Sequence, residues 1–223
     1  MIGITGTNGK TTSAFMTKSI LESSGIKTGL LGTVRCDDGV DKEDAEHTTP
    51  EGSDLQLWLH RMVRNGCGAC VMEASSHAIC QGRIDGVLFD RAGFTNLTGD
   101  HLNYHADMES YFEVKRRLFN GYMRGERRAA VNLDDPYGAL LHRELGERSV
   151  GYSLSDRNAD FFAEVKQASA EGTDVEITMP GCGIPIGARL PILGIYNVMN
   201  ALQALSLSWT SGTETEAALD GLS

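Results

Sequence analysis

The sequence predicts a three-layer α/β domain: a mainly parallel sheet with helices on both faces and a small antiparallel lobe late in the chain. A short apolar strand at residues 2–5 leads through a glycine-rich turn into a helix. The apolar runs 69–72 and 129–133 are typical of strands buried on both faces, and amphipathic segments alternate with them. In 159–190, short alternating segments between glycine-rich turns indicate antiparallel strands.

The glycine-rich turn predicts a phosphate-binding loop, and therefore a fold of the P-loop type. Where a strand is followed by a helix, the backbone amides of such a turn can face an anion. Lys10 would reach the terminal phosphates of ATP, and Thr11 would offer a hydroxyl to Mg²⁺. The spacing is a compact G-x-x-G-K-T, since Ile4 stands where the usual loop has its first glycine. A turn without a ligand is the alternative. The predicted nucleotide-binding residues are Gly6, Thr7, Asn8, Gly9, Lys10, Thr11 and Thr12.

Composition narrows the class of protein. The chain has 223 residues, 41% of them hydrophobic, which suffices for one core or for a large domain with a small lobe. Its formal charge of -10 argues against a general nucleic-acid binder, which needs surplus Lys and Arg. The sequence has neither an apolar run long enough to span a membrane nor a charged leader. We expect a cytoplasmic protein, a monomer, with no membrane or nucleic-acid partner.

The five cysteines, an odd number, fit a reducing compartment better than a disulfide framework. Cys67 and Cys70 form a C-x-x-C without a second pair or a nearby histidine. We interpret both as core cysteines, and a metal site is the alternative.

The remaining elements follow from apolar spacing. Further strands are predicted at 27–34, within 87–97, and at 161–165, 175–179 and 184–188. Helices are predicted at 12–24, 51–65, 107–120, 137–144, from 194 and at 214–222. Segment 36–46 carries six acidic residues against one lysine, so we interpret it as a solvated loop without a catalytic role.

Two segments between these elements carry candidate ligand-binding groups. Thr49, followed by proline and Glu51, predicts a helix start with a capping hydroxyl, and Thr48 adds a second hydroxyl suited to an anionic substrate. Glu73 ends a buried strand, so it should lie on the ligand-binding edge of the sheet as a metal ligand. A salt-bridged strand end is its alternative role. Arg83 could serve a phosphate or carboxylate, or simply face solvent.

Lys115 is misplaced for an ordinary helix, because helical spacing puts it in the middle of an apolar stripe. A buried ammonium is costly unless it has a partner, shifts its pKa or is chemically changed; extension to solvent is the alternative. His101 lies in a segment with two histidines and an aspartate, which could bind metal or merely decorate a loop. Asn197 and Asn200 lie near one helix start, where Asn197 could be only a cap.

Taken in order, these motifs resemble the central domain of the Mur ligases, most closely the MurE type. The motifs span nearly the whole chain: residues 6–12, His47-Thr48-Thr49-Pro50, Glu73-Ala74-Ser75-Ser76-His77, the segment 95–101, Lys115 and residues 194–200. The resemblance implies an ATP-dependent amide ligase of peptidoglycan synthesis. Its substrates would be UDP-MurNAc-L-Ala-D-Glu and an amino acid. The γ-phosphate would pass to the D-Glu side chain, and the amine of the amino acid would displace phosphate from the acyl phosphate.

The resemblance also implies roles for individual residues. Thr11 and Glu73 would hold Mg²⁺, while His101 and Lys115, carbamylated in the family, would support a second metal ion. Lys10, Glu73, His101 and Lys115 are thus the expected catalytic groups. Asn197 and Asn200 match positions near the adenine. The positions that match those holding the UDP-MurNAc dipeptide are Thr48, Thr49, Ser75, Gln81 and Arg83.

Some positions depart from the family pattern. His47 stands where Asn is common and Gly99 where Arg is common, and residues 190–196 lack the usual glycine and Phe-Asn junction. We expect residues 1–223 to form the central domain, with the family's N-terminal and C-terminal domains absent, and to bind nucleotide with little or no turnover. The alternatives are a folylpolyglutamate or cyanophycin type of ligase domain and a non-catalytic nucleotide-binding module. The sequence does not specify which amino acid is added.

Overall fold

The computed structural model describes residues 1–99, 107–123 and 128–222. Its strands are β1 (Ile2–Thr5), β2 (Thr28–Leu31), β3 (Arg35–Asp37), β4 (Lys42–Asp44), β5 (Ala69–Glu73), β6 (Arg91–Phe94), β7 (Ala129–Asn132), β8 (Ser149–Ser153), β9 (Phe161–Ser169), β10 (Gly172–Thr178) and β11 (Ile186–Leu190). Its helices are α1 (Lys10–Ser23), α2 (Gly52–Arg64), α3 (Ser76–Cys80), α4 (Met108–Asn120), α5 (Pro136–Leu145), α6 (Ile195–Thr210) and α7 (Thr215–Asp220).

The strands of the described residues form one sheet in the order β11-β10-β9-β8-β7-β6-β1-β5-β2-β3-β4. All pairs from β9 to β2 are parallel, and antiparallel pairs extend the sheet at both ends. The predicted fold class is confirmed. The antiparallel part predicted within 159–190 continues the main sheet, because β9 pairs in parallel with β8 through Tyr152 and Phe161.

Two apolar cores, one on each face of the sheet, produce the three layers. The first core joins the sheet to α1, α6 and α7, and includes Ile4, Ile20 and Leu205. The second joins it to α2, α4 and α5, and includes Trp58 and Phe112. Because β1 contributes side chains to the first core and packs against α4 on the other face, it lies in the centre of the domain.

The prediction of a solvated loop at 36–46 is wrong in part. This segment contributes the hairpin of β3 and β4, which pairs with β2 at one edge of the sheet. Asp37 and Asp38 are buried there, because cations from two helices neutralise them. Arg61 Nε donates to Asp38 Oδ2 at 2.7 Å, and Lys18 Nζ lies 3.5 Å from Asp37 Oδ2. The acidic composition of the segment indicated solvent exposure, because the cations that neutralise Asp37 and Asp38 are distant in the sequence.

The predicted helix cap at Thr49 is also wrong. Helix α2 begins at Gly52 with Glu51 as its N-cap. The Thr49 hydroxyl is buried and donates to the Glu73 carbonyl oxygen at 2.7 Å, while the Ser75 amide donates to it at 3.1 Å. Thr49 therefore ties its loop to the end of β5.

The cysteines differ in accessibility, which yields a testable expectation. Cys70 is buried, and its burial raises the pKa of the thiol to about 12, whereas Cys80 is exposed. Since the thiolate is the reactive form, we expect iodoacetamide at pH 8 to modify Cys80 in the folded protein and to spare Cys70. Peptide mass spectrometry measures both sites, and guanidinium should make Cys70 reactive. Equal modification of the two thiols without denaturant would contradict the core interpretation.

None of the helices in the described part of the chain combines the length and apolar character needed to cross a membrane.

Candidate functional site

The topology brings the predicted site residues to one rim of the sheet. Strand β1 lies between β5 and β6, and all three run in the same direction. Their carboxyl ends therefore meet, as at the ligand-binding crevice of other open parallel sheets. The glycine-rich loop follows β1, Glu73 ends β5, and the segment 95–98 follows β6.

The loop 6–9 has the backbone conformation that its two glycines predicted. Gly6 and Gly9 have φ angles of 138° and 87°. Lys10 begins α1 and its Nζ donates to the carbonyl oxygens of Gly6 at 3.0 Å and Thr7 at 2.8 Å. The Lys10 side chain therefore folds back across the loop that precedes it. Thr11 and Thr12 follow it in the first turn of the helix.

The segment after β6 holds the loop from the other side. The Thr7 amide donates to the Asn96 carbonyl oxygen at 2.8 Å, and the Asn8 amide donates to Asn96 Oδ1 at 3.0 Å. Asn8 Nδ2 also donates to Thr98 Oγ1 at 3.2 Å. Asn96 and Thr98 belong to the segment 95–101, for which the sequence predicted no role at these two positions. Their position directly after a central strand was the signal that pointed to the rim.

Glu73 and Thr11 meet, as predicted. The Glu73 side chain is 1% exposed, and Thr11 Oγ1 donates to its Oε2 at 3.0 Å. Thr33 supplies two more donors, its amide to Oε1 at 2.8 Å and its hydroxyl to Oε2 at 3.1 Å. In the described residues this carboxylate has hydroxyl and amide partners but no ion pair with Lys or Arg. The alternative role as a salt-bridged strand end is therefore wrong.

Lys115 is buried beside the loop 6–9. Its side chain is 1% exposed, so the alternative of extension to solvent is wrong. Its Nζ donates to the Gly6 carbonyl oxygen at 2.8 Å and lies 4.4 Å from the centroid of the Tyr111 ring. Tyr111 in turn places its hydroxyl 3.4 Å from Thr7 Oγ1. Helix α4 thus delivers an amine to the loop from the opposite face of the sheet.

The residues predicted to hold the peptide substrate lie in neighbouring segments. The Thr48 hydroxyl is 3.1 Å from the Thr33 hydroxyl, and Ser75 Oγ accepts the Ala78 amide at the start of α3. Arg83 donates to Gln81 Oε1 at 2.8 Å and to the Thr49 carbonyl oxygen at 3.2 Å. Its guanidinium also pairs with Glu51 at 2.9 Å. The structure therefore brings Thr48, Thr49 and Ser75 close to Glu73, and joins Gln81 and Arg83 to the same loop.

A cavity of about 510 Å³ adjoins the phosphate loop. Asn200 lines it and accepts from Ser13 Oγ at 3.4 Å, while its Nδ2 donates to Asn197 Oδ1 at 3.2 Å. Asn197 is not a cap, since α6 starts without a side-chain cap and Asn197 Nδ2 donates to the Leu193 carbonyl oxygen. The other lining residues are Asn8, Gly9, Thr95, Asn96, Thr98, Asn132, Asp134, Asp135, Tyr152, Leu154, Ser155, Ile195, Tyr196 and Met199.

This cavity contains residues that the sequence did not single out. Asn132 at the end of β7 donates to the Thr95 carbonyl oxygen at 2.7 Å, and Asp135 accepts the Leu97 amide at 2.9 Å. Leu154 and Tyr196 add apolar surface. A cavity that combines apolar surface with several amide, hydroxyl and carboxylate groups is typical of a small-molecule site.

His101, the remaining predicted metal ligand, lies outside the described residues. Within the described residues, no three His, Cys, Asp or Glu side chains cluster as a metal site. Thr11 and Glu73 are nevertheless a suitable pair, because Mg²⁺ commonly takes one or two protein oxygens together with waters and substrate phosphates. The arrangement can bind a polyphosphate and a hard cation on one rim.

Comparisons with known proteins identify relatives of similar sequence and similar fold. A diaminopimelate-adding ligase, UDP-N-acetylmuramoyl-L-alanyl-D-glutamate--2,6-diaminopimelate ligase 1 of Clostridium acetobutylicum, is 40% identical over 222 residues, covering 100% of this chain and 45% of the relative. The corresponding Synechococcus elongatus ligase is 43% identical over 221 residues, covering 98% of this chain and 44% of the relative. A solved structure of a UDP-N-acetylmuramoyl-L-alanyl-D-glutamate--2,6-diaminopimelate ligase has a TM-score of 0.85 at 30% identity, covering 99% of this chain and 45% of the other.

The chain thus spans about 45% of the length of these relatives. Residues 4–208 match the family model described as the Mur ligase middle domain. The matched range contains the phosphate loop, Glu73, Lys115 and both asparagines of α6. The chain belongs to the Mur ligase family, and what it matches there is the middle domain.

Proposed function

We propose that the chain is the ATP-binding part of a MurE-type amide ligase and binds Mg²⁺ and ATP on the rim described above. The observation that carries the proposal is the pairing of Thr11 and Glu73 at 3.0 Å beside two lysines that share the Gly6 carbonyl oxygen. A hydroxyl, an acid and the Lys10 cation around a glycine-rich loop suit a metal-bound triphosphate.

The residues fit Mg²⁺ on a physical argument. A carboxylate that is 1% exposed and lacks an ion pair among the described residues is costly to bury, so a cation at Oε2 would offset that cost. Thr11 and Glu73 both offer hard oxygen ligands, which suit Mg²⁺ rather than a thiolate-binding metal. When bound, Mg²⁺ would neutralise charge on the transferring phosphates. Thr11 and Glu73 would hold it, with Lys115 as the proposed carbamylated ligand of a second ion.

The chain's own residues would position the nucleotide. The Gly9 amide, the amides of the first turn of α1 and the Lys10 ammonium would hold the phosphates, because the Thr7 and Asn8 amides already donate to Asn96. The cavity beside Asn200 would take the base, with Tyr196 and Leu154 against its faces. Asn197 would not contact the base but would orient Asn200, because its Oδ1 accepts a hydrogen bond from Asn200 Nδ2.

The proposed acceptor is UDP-MurNAc-L-Ala-D-Glu, on the side of the rim that Thr48, Ser75 and Arg83 occupy. The relatives' names specify this substrate and 2,6-diaminopimelate, which makes diaminopimelate the first amino acid to test. A phosphoryl group would leave ATP for the side-chain carboxylate of D-Glu, and the amine would then displace phosphate to form the amide. The proposed setting is cytoplasmic peptidoglycan synthesis by a monomer.

Calorimetric titration of ATP with and without Mg²⁺ tests the proposal. We expect binding by the isolated chain that tightens at least tenfold with Mg²⁺. With UDP-MurNAc-L-Ala-D-Glu and diaminopimelate added, we expect little or no tripeptide product, because the chain spans about 45% of its relatives' length and closure of further elements often completes a catalytic site. Absence of Mg²⁺-dependent ATP binding would contradict the proposal and favour a module without this chemistry. Rapid product formation would contradict the expected lack of turnover but not the proposed binding of ATP and Mg²⁺.

A further inference from the structure

The turn after β2, formed by Gly32 and Thr33, contacts both halves of the proposed site. We propose that Thr33 is a positioning residue that orients the Glu73 carboxylate for Mg²⁺ and couples it to Thr48 on the peptide-substrate side. The inference rests on the proposed function and adds to it a residue that the resemblance did not include. Thr33 lies in the bend between β2 and β3, where the Gly32 amide donates to the Arg35 carbonyl oxygen at 3.2 Å.

The main chain of the turn fixes one oxygen of Glu73. The Thr33 amide donates to Oε1 at 2.8 Å. A methyl group on Gly32 would overlap Oε1, so a residue with a side chain at position 32 would push the carboxylate away. With Oε1 anchored in this way, Oε2 is the oxygen that faces the Thr11 hydroxyl at 3.0 Å. By binding Oε1, the turn would leave Oε2 of Glu73 as the oxygen that contacts the metal ion.

The Thr33 hydroxyl connects this carboxylate to Thr48. Its Oγ1 is 3.1 Å from Glu73 Oε2 and 3.1 Å from Thr48 Oγ1. A hydroxyl has a single proton, and an ionised carboxylate can only accept. Thr33 therefore donates to Glu73, and the hydrogen bond between the two threonines has Thr48 as its donor. The polarity of the relay runs from Thr48 through Thr33 to Glu73.

The direction of these hydrogen bonds should couple binding of the metal ion at Glu73 to binding of the peptide substrate at Thr48. Thr48 supports the orientation of the Thr33 hydroxyl, so removing the Thr48 hydroxyl should weaken metal binding although Thr48 is not a metal ligand. The effect should require Thr33, because Thr33 stands between the other two groups. Two sites joined through one hydroxyl in this way should show reciprocal coupling.

Mn²⁺ binding to the full chain in the presence of ATP, measured by electron paramagnetic resonance, tests the inference. Thr33→Val removes the hydroxyl at nearly constant shape, and we expect Mn²⁺ affinity to fall about tenfold, as for loss of a hydrogen bond to a charged group. Thr33→Ser should restore affinity to within about twofold, since it keeps the same donor. ATP affinity without metal should stay unchanged in both variants. Val34→Thr, the opposite change at an exposed neighbour, is the matched control.

A double-mutant cycle completes the test. Thr48→Val should weaken Mn²⁺ binding about threefold in the wild-type background and have no effect in the Thr33→Val background. If the wild-type chain binds Mn²⁺ with ATP but Thr33→Val binds it equally well, the inference is overturned and the proposed function stands. Additive effects of the two substitutions would overturn the relay. A wild-type chain without metal-dependent ATP binding would overturn the proposed function, and the inference with it.

Discussion

Lys10→Met should weaken ATP binding about a hundredfold, because it removes the cation that folds back across the loop. Its Nζ lies within 3.0 Å of two loop carbonyl oxygens, so a small movement would bring it to a phosphate held by the Gly9 amide and the amides of the first turn of α1. Hydrogen bonds to charged groups contribute about 1.5–3 kcal/mol each, and a change of about 1.4 kcal/mol is tenfold in affinity. Calorimetric titration with ATP and Mg²⁺ measures the change.

The control for this substitution is Lys166→Met. Lys166 is on β9 and pairs with Glu164 and Glu176 at the exposed surface, so its replacement removes the same charge away from the loop. We expect ATP affinity within about twofold of the wild-type value, since a surface ion pair contributes little. Retained binding by Lys10→Met, or an equal loss in both variants, would contradict the assignment of the loop.

Gly9→Ala should weaken ATP binding at least tenfold while the chain still folds. An added methyl group would overlap Asn200 Oδ1, and Gly9 has a φ of 87°, where residues with a Cβ are disfavoured by about 1–2 kcal/mol. Asn200 cannot easily yield, because it is buried and held by Asn197. The loop must therefore move, and it carries the Gly9 amide that would hold a phosphate. We expect at least tenfold weaker ATP binding and a lower Tm.

Gly25→Ala separates backbone strain from steric overlap. Gly25 has a φ of 79°, and in the described structure no heavy atom lies within 4 Å of the position its Cβ would take. Both substitutions thus carry similar backbone strain, and only Gly9→Ala displaces the loop. Calorimetry and thermal melting should show a lower Tm for both variants and weaker ATP binding for Gly9→Ala alone. Normal ATP affinity in Gly9→Ala would mean that the loop does not hold the phosphates.

The parts of the site that were predictable are those with a local signal. Gly6 to Thr11 is contiguous, and the conformation of the loop follows from glycine at the two positions with positive φ. The position of Glu73 on the rim could be predicted because the carboxyl end of a buried strand has a known place in a parallel sheet. Lys115 could be assigned because a charge in an apolar stripe needs an unusual partner, which the structure supplies at the Gly6 carbonyl oxygen.

The parts that were not predictable depend on distant partners. Asp37 and Asp38 read as solvated because nothing nearby in sequence showed that Lys18 and Arg61 neutralise them. Thr49 has the sequence context of a helix cap, yet its hydroxyl bonds to the end of β5. Such hydrogen bonds form only when separate strands come together, and local patterns do not encode them.

The cavity beside the loop was also largely hidden. Asn200 was assigned, whereas Asn132 and Asp135 come from the end of β7, and Leu154 follows β8. No spacing in the sequence joins these positions, because the pairing of β6, β7 and β8 brings them together. Thr33 is a similar case, since its relation to Glu73 depends on the pairing of β2 with β5.

A crystal structure of the chain with Mn²⁺ and a non-hydrolysable ATP analogue, with the metal located by anomalous scattering, tests the shared rim most directly. We expect a Mn²⁺ peak within coordination distance of Thr11 Oγ1 and Glu73 Oε2. We also expect the analogue's phosphates at the amides of Gly9 and of the first turn of α1, its terminal phosphate near Lys10, and its base beside Asn200. A nucleotide bound elsewhere, or a metal ion that leaves Glu73 uncoordinated, would contradict the proposed site.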